Sequence, residues 1–428
     1  MSCAISSENA SLVWLASLEH SSMTEASVRW LEGLIVLDLT RYLAGPVATR
    51  LLTELGATVI KIEQPPFGDP NRSNRPRINR RAGAHIQQNR GKQSVCVDLD
   101  TQEGQEIVRS IAAKCDIVVE NFSPGVLNRK HLGYSDLKLV KPDIIMASIS
   151  GFGQTGPLAE RPCFDLIAQA YSGIMHMTGE PDGPPTFVGT GLADSNAGVH
   201  AFAAIGHALF HRSRTGNGCH LDIAMVDSIF HYHEQSVHGA SMEPDTYTPM
   251  RAGRHYPYLC PAGSFRGPQG WIVMLCTEWQ MSNLWSALSR PELAADPRFD
   301  SNPHRVENRE ALTAIIEDWM ASFSTDDQVM KVLEQHRVPH GPTLSPADAL
   351  KHPHFVERGV VRTVQDPLVG EIQIPGFPFR STEKFPEREL VAPALGEHNA
   401  SVLQGLLGFT AEQIIDLKTR GILDDKPH

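Results

Sequence analysis

Leu34-Ile-Val-Leu-Asp-Leu39, then Val47 to Leu55, then Thr58-Val-Ile-Lys-Ile62: these three pieces decide the fold. The first is a short apolar run rich in β-forming residues. The second carries apolar residues at helical spacing until Gly56 stops it. The third reads as a strand again. Strand, helix and strand within about 30 residues make a βαβ unit, and a crossover of that kind joins parallel strands. The pattern repeats in Ser94 to Leu99, a helix from Thr101 to Lys114, Ile117 to Glu120 and Ile144 to Ile149. A Rossmann-like, doubly wound α/β sheet is the consequence.

Farther along, Ala197 to Phe210 reads as an Ala-rich apolar helix, Thr215-Gly-Asn-Gly218 as a turn and His220 to Ala224 as another strand. The texture then changes to a His-, Tyr- and Pro-rich stretch. A hairpin around Gly263 to Leu275 follows, with helices at Ala311 to Phe323 and Asp326 to Gln335. The chain accordingly divides into an N-terminal extension (1–30), the first part of a large α/β domain (31–235), a smaller α+β domain (236–345) and a return segment completing the large domain (346–428). That last segment holds strands at Val360 to Val364 and Ile372 to Ile374 and a helix at Ala411 to Thr419.

With 428 residues the chain can bury a sizeable core. A net charge of -11 and no run of lysine or arginine leave no footprint for nucleic acid or an anionic membrane surface. No stretch approaches the roughly 18 apolar residues that cross a bilayer. Glu8, Glu19, His20 and Glu25 interrupt the first residues in a way that secretory signals do not. The seven cysteines are odd in number and form no C-x-x-C pair, which argues against a disulfide framework and a zinc site. His231 and His233, two residues apart, cannot share a helix face as metal ligands. The expectation is a cytoplasmic protein with no bound metal.

Four segments sit where strands meet loops. Thr40-Arg-Tyr-Leu-Ala-Gly-Pro46 is the opening βα turn, lacking G-x-G-x-x-G and hence a dinucleotide fingerprint; alone, it is also simply a good helix start. Asn89-Arg-Gly-Lys92 and Glu120-Asn-Phe-Ser-Pro-Gly-Val126 flank strand ends, where α/β sheets bind ligands, although either could be ordinary loop chemistry. Leu192-Ala-Asp-Ser-Asn-Ala-Gly198 opens an apolar helix. There Asp194 reads either as an N-cap or as a carboxylate that the helix N-terminus stabilises as the anion, available as a nucleophile without a general base.

Taken together and in order, these segments resemble the class III coenzyme A transferases (the CaiB/BaiF type, which includes formyl-CoA and carnitine CoA-transferases). The resemblance runs from about Leu31 to Ala394-Leu-Gly-Glu-His398 and includes Gly56-Ala-Thr-Val-Ile-Lys-Ile-Glu63, Gly68-Asp69, Ser150-Gly-Phe-Gly-Gln-Thr-Gly-Pro157 and Gln169-Ala-x-Ser-Gly173. It implies that Asp194, in Ala193-Asp-Ser-Asn-Ala-Gly198, is the catalytic carboxylate. It further implies that CoA, as a substrate and not as a bound cofactor, meets Tyr42, Leu43, Ala44, Gln64, Val97, Leu99, Asn121, Phe122 and Arg129. Some relatives carry arginine where Gln64 stands. The implied assembly is a homodimer of two interlocked, ring-shaped chains.

The chemistry implied is transfer of CoA from an acyl-CoA donor to a small carboxylic acid, through aspartyl anhydride and aspartyl-CoA thioester intermediates. Two alternatives remain beside it. A 2-methylacyl-CoA racemase of this family would carry a histidine directly before the residue matching Asp165, where Phe164 stands. A non-catalytic CoA-binding protein would have no use for a carboxylate at 194. Asp165, with Arg251, Arg254 and His255 in the basic and aromatic stretch Arg251-Ala-Gly-Arg-His-Tyr-Pro-Tyr258, is the candidate for acid binding. Oxalate-specific relatives close the site with a glycine-rich loop instead. The two arginines and the histidine suit a second carboxylate on the acceptor, since guanidinium groups pair with carboxylates bidentately.

Overall fold

The computed structural model describes residues 29–382 and 390–425. The expected N-terminal extension lies, but for its last two residues, outside the described residues, as does Cys3. Six parallel strands form the central sheet: β1 (Ile35–Leu39), β2 (Thr58–Glu63), β3 (Gln93–Cys96), β4 (Ile117–Glu120), β5 (Ile145–Ser150) and β6 (His220–Ala224). Their order is β3-β2-β1-β4-β5-β6. The winding reverses between β1 and β4, and a crevice opens at such a reversal outside the carboxyl ends of the strands.

Alternating residues of β1 feed two cores. Leu37 and Leu39 face one side with Ile107, Val108 and Ile111 of α2 (Gln102–Ala112). Val36 faces the other side, against Ala44, Ala48 and Leu52 of α1 (Ala44–Glu54). A strand covered on both faces needs an almost continuous apolar run, which is what the opening segment shows. After β5 come α3 (Asp165–Tyr171) and the long α4 (Leu192–Thr215), whose Ala193, Ala197, Ala201 and Ile205 join the second core. These four recur at helical spacing along one side.

A third core spans Cys260 to Val338. It lies between an antiparallel sheet of β7 (Ala262–Arg266), β8 (Trp271–Leu275) and β9 (His340–Pro342) and the helices α5 (Met281–Ala287), α6 (Arg309–Ala321) and α7 (Asp326–Gln335). The chain then forms a hairpin of β10 (Val361–Asp366) and β11 (Gly370–Pro375), docked by the Arg81–Asp366 ion pair. It ends in α8 (Asn399–Leu407) and α9 (Ala411–Thr419). Val402, Leu403, Ile414 and Leu417 of these helices complete the first core beside α2. The tail thus returns to the parallel sheet, where the amide of Asp98 donates to the carbonyl of Ile422 at 2.9 Å.

Among the boundaries that differ from the sequence reading, three bear on the site. The strand expected from Ser94 to Leu99 ends at Cys96, because Val97 bridges antiparallel to Leu423 of the tail. The helix expected from Val47 begins at Ala44, so the Gly-Pro pair lies inside its first turn. The apolar helix expected from Ala197 begins at Leu192 with Gly191 as its N-cap; Asp194 is therefore a first-turn residue and not the cap.

Candidate active site

The turn between β1 and α1 rests on a buried polar cluster. Asp38 accepts from the amide and hydroxyl of Thr40 at 2.8 and 2.5 Å, from the Thr49 hydroxyl at 2.8 Å and from Lys92 Nζ at 2.9 Å. Lys92 also donates to Asn89 Oδ1 at 2.9 Å. Burial alone would raise the Asp38 carboxyl, but Lys92 and Lys61 outweigh it and hold it down at about 2. Burial is the stronger influence on Lys92, whose ammonium falls to about 8. Lys61 Nζ donates to the Thr40 carbonyl at 2.6 Å and pairs with Asp69 at 3.0 Å. Asp69 in turn accepts from the amide of Tyr42 at 3.1 Å. Tyr42 has φ of 64°, a left-handed conformation that costs a non-glycine residue energy and needs such support. The Gly68-Asp69 and Asn89-to-Lys92 motifs therefore brace the turn from beneath.

Across the switch point, Asn121 after β4 ties itself to that turn. Its Oδ1 accepts from the amide of Arg41 at 2.8 Å and its Nδ2 donates to the Arg41 carbonyl at 2.7 Å. The Arg41 guanidinium lies 4.5 Å over the Phe122 ring, and the Phe122 amide donates to Glu120 at 2.8 Å. Burial pushes the Glu120 carboxyl up to about 7.

Helix α4 brings the acid. Gly198 lets it approach α1: a Cβ there would lie 2.5 Å from the Ala44 carbonyl oxygen and 2.7 Å from Val47. This accounts for a glycine four residues after Asp194. The N-terminal amides of α4 are taken by a neighbour, since Asp165 Oδ1 accepts from Ala193 at 2.7 Å and from Asp194 at 3.2 Å. Gln169 holds Asp165 through Nε2 at 2.6 Å and accepts from the Val188 amide at 2.9 Å. Burial first, and the Asp165 charge second, push the Asp194 carboxyl up to about 7. This corrects the expectation of a carboxylate held as the anion by the helix N-terminus: the amides that would stabilise it serve Asp165, and the partly closed pocket disfavours its charge.

A cleft of about 160 Å³ unites Tyr42, Ala44, Asn121, Phe122 and Asp194. Arg41, Arg161, Cys163, Phe164 and Met225, which the sequence reading did not select, line it as well. Arg41 lay within a quoted motif, but nothing in a motif distinguishes a lining side chain from a packed one. Leu43 does not line the cleft and instead packs against Gly191 at the start of α4. Asp165 stands behind Asp194, bonded to the helix. Gln64 is engaged with Asp98 at 2.6 Å and the Leu99 amide at 3.0 Å. The side chains of Val97 and Leu99 are buried in the first core, and Arg129 is exposed at the end of a four-residue helix.

Arg251, Arg254 and His255 also stay away from Asp194. Arg251 donates to the carbonyls of His176 and Glu180, and Arg254 pairs with Glu317. Arg254 and His255 line a separate cleft of about 370 Å³ with Tyr232, His233 and Tyr256. Burial, with the Arg254 and Arg309 charges, lowers the His255 imidazole.

Fold and crevice together define a doubly wound α/β protein with a cleft at the switch point of its sheet. The family model described as CoA-transferase family III matches residues 31–399, and the chain belongs to that family. It is 40% identical over 384 residues to the succinyl-CoA:mesaconate CoA-transferase of Haloarcula hispanica, covering 87% of this chain and 95% of that one. It is 37% identical over 374 residues to the acetyl-CoA:oxalate CoA-transferase of Acetobacter aceti, covering 87% and 94%. A crystal structure of a CaiB/BaiF family protein from Brucella suis superposes with a TM-score of 0.78 at 35% identity, over 89% of this chain and all of that one.

Proposed function

We propose that this enzyme moves CoA between an acyl-CoA and a dicarboxylic acid through covalent intermediates on Asp194. One observation carries the reading: among the described residues lining the switch-point cleft, Asp194 is the one carboxylate. A carboxylate near neutrality is ionised in a large fraction of molecules and is more basic than an ordinary aspartate, which suits nucleophilic attack.

An Asp194 oxygen attacks the donor thioester carbonyl, the carbon–sulfur bond breaks, and a mixed anhydride and CoA thiolate result. The thiolate attacks the aspartyl carbonyl, releasing the donor's acid and leaving aspartyl-CoA. An acceptor carboxylate attacks that thioester, forming a second anhydride and freeing the thiolate again. Attack of the thiolate on the acceptor's acyl carbon yields the new acyl-CoA and restores Asp194. No proton is gained or lost and no electron leaves the cycle, so neither a metal nor a redox cofactor has a step to perform.

Tyr42, Ala44, Asn121 and Phe122 border the path of the CoA chain, with Leu43, Gln64, Val97, Leu99 and Arg129 as further contacts expected from the resemblance. The donors and acceptors named for the two relatives, succinyl-CoA with mesaconate and acetyl-CoA with oxalate, support a dicarboxylic acceptor. The domain division at 31–235, 236–345 and 346–428 belongs to the same reading. So does an interlocked dimer of ring-shaped chains, for which exposed Leu166, Ile167, Val199, Phe210 and Phe230 offer apolar surface. The six described cysteines are free thiols, which suits the cytoplasm.

The test is trapping. Acyl-CoA should leave an adduct on the peptide carrying Asp194, which hydroxylamine or borohydride modifies. Asp194→Ala should lose more than about a thousandfold in rate while remaining folded. Retention of more than a few per cent of activity would sink the assignment.

A further inference from the structure

We propose that Arg161, held by Tyr171, takes the second carboxylate of a dicarboxylic substrate. This rests on the cleft at Asp194 being the site of transfer. Two guanidinium groups line that cleft, Arg41 and Arg161. Among the described residues neither makes an ion pair, whereas Arg254, expected for this task, is bound to Glu317.

The two arginines are held by different partners. The Arg41 guanidinium lies over the Phe122 ring, and its backbone is tied to Asn121 at the switch point. Arg161 lies four residues before Asp165, whose carboxylate bonds the first turn of the Asp194 helix. Arg161 lines the same cleft as Asp194. Its Nη1 donates to the Tyr171 hydroxyl at 2.6 Å, which fixes the guanidinium and leaves its other N–H groups free to meet a carboxylate.

Electrostatics require such a group. Asp194 and Asp165 already place negative charge at the head of α4, and a dicarboxylic substrate brings more. An acyl chain ending in a carboxylate is repelled there unless a cation receives its far end, and a planar guanidinium does so with two parallel hydrogen bonds. A monocarboxylic acyl group makes no such demand.

Succinyl-CoA and acetyl-CoA share every phosphate and differ in the terminal carboxylate, so the rate of Asp194 labelling by each separates the two anion sources. Arg161→Ala should slow labelling by succinyl-CoA about tenfold to a hundredfold more than labelling by acetyl-CoA, as expected for loss of a charge-assisted pair. Tyr171→Phe should show a smaller preference in the same direction. Arg161→Lys keeps charge but not the bidentate fork, and should fall between wild type and Ala; it decides the matter if the Ala variant does not fold.

Equal losses with both thioesters would mean that Arg161 reads the CoA phosphates and would overturn the proposal. So would unchanged rates, or a succinyl-selective loss in Arg254→Ala with none in Arg161→Ala. Wild-type enzyme that acetyl-CoA labels and succinyl-CoA does not would overturn it too. Absence of any Asp194 adduct in the wild type is a different result, because it refutes the transfer site itself.

Discussion

Replacing Asp165 with Asn removes the charge beside Asp194 and keeps an oxygen where the amides of Ala193 and Asp194 donate. Burial, the larger influence, and Asp165, the smaller, together lift the Asp194 carboxyl from 3.8 to about 7. The Asp165 contact to the Asp194 amide sets the two carboxylates on the order of 6 Å apart; at an effective dielectric near 20, Coulomb's law bounds their repulsion at roughly 2.8 kcal/mol, or about two pH units. Because burial is the larger cause, Asp165 accounts for less than half the rise, and the expected downward shift is about one unit. Only the ionised carboxylate attacks. Labelling of wild-type Asp194 by acyl-CoA should therefore climb with pH, reach half its plateau near 7 and level off about one unit higher. In Asp165→Asn the same curve should move about one unit lower, so that at pH near 5.5 the variant runs at roughly eight times the wild-type fraction of its plateau. The plateau itself should drop, since a less basic carboxylate is a poorer nucleophile. Rapid-quench mass spectrometry between pH 5 and 9 is the assay. Gln169 Nε2, now facing an amide at 2.6 Å, should cost about 1–2 kcal/mol of stability, which a melt measures separately. Inflections that coincide in the two proteins, or a shift to higher pH, would refute the reasoning.

Gly198→Ala should lower stability by about 1–3 kcal/mol, because the new methyl meets the Ala44 carbonyl at 2.5 Å and must push α1 from α4; urea melts combined with labelling rates would show both the loss and a displaced Asp194. Lys92→Met leaves the fully buried Asp38 carboxylate without its nearest cation and should cost about 3–5 kcal/mol, read by chemical denaturation. Replacing both residues, as in Asp38→Leu with Lys92→Met, should recover much of that loss, and failure to do so would mean that the cluster's other hydrogen bonds dominate. An interlocked dimer cannot dissociate by simple dilution, so light scattering should show twice the chain mass down to the lowest workable concentration, with monomers only alongside unfolding. A folded, reversible monomer would exclude that assembly.

The local pattern of the chain was sufficient for the sheet. Leu34 to Ile62 carries one apolar run, one helical period and a second run, and periodicities of that kind are set by residues close in sequence. Asp194 was legible for the same reason, as a carboxylate at the head of an apolar helix in a family motif. What its neighbourhood does to it was not. Its elevated carboxyl depends on Asp165 and on burial, which arise only when α3 and α4 meet, and a motif carries no dielectric constant. Asn89 to Lys92 could be read as a ligand loop or as ordinary loop chemistry; folded, Lys92 reaches inward to Asp38, and Asp69 supports the left-handed Tyr42. Arg251 and Arg254 matched the chemistry of a carboxylate site, yet residue type says nothing about which carbonyl or acid an arginine already holds. Sequence determined the elements and their parallel winding and singled out Asp194 as the candidate acid, because these follow from short-range propensity and pattern. Tertiary structure alone decided which side chains share a cleft and which charges remain unpaired, because both depend on contacts between residues far apart in the chain.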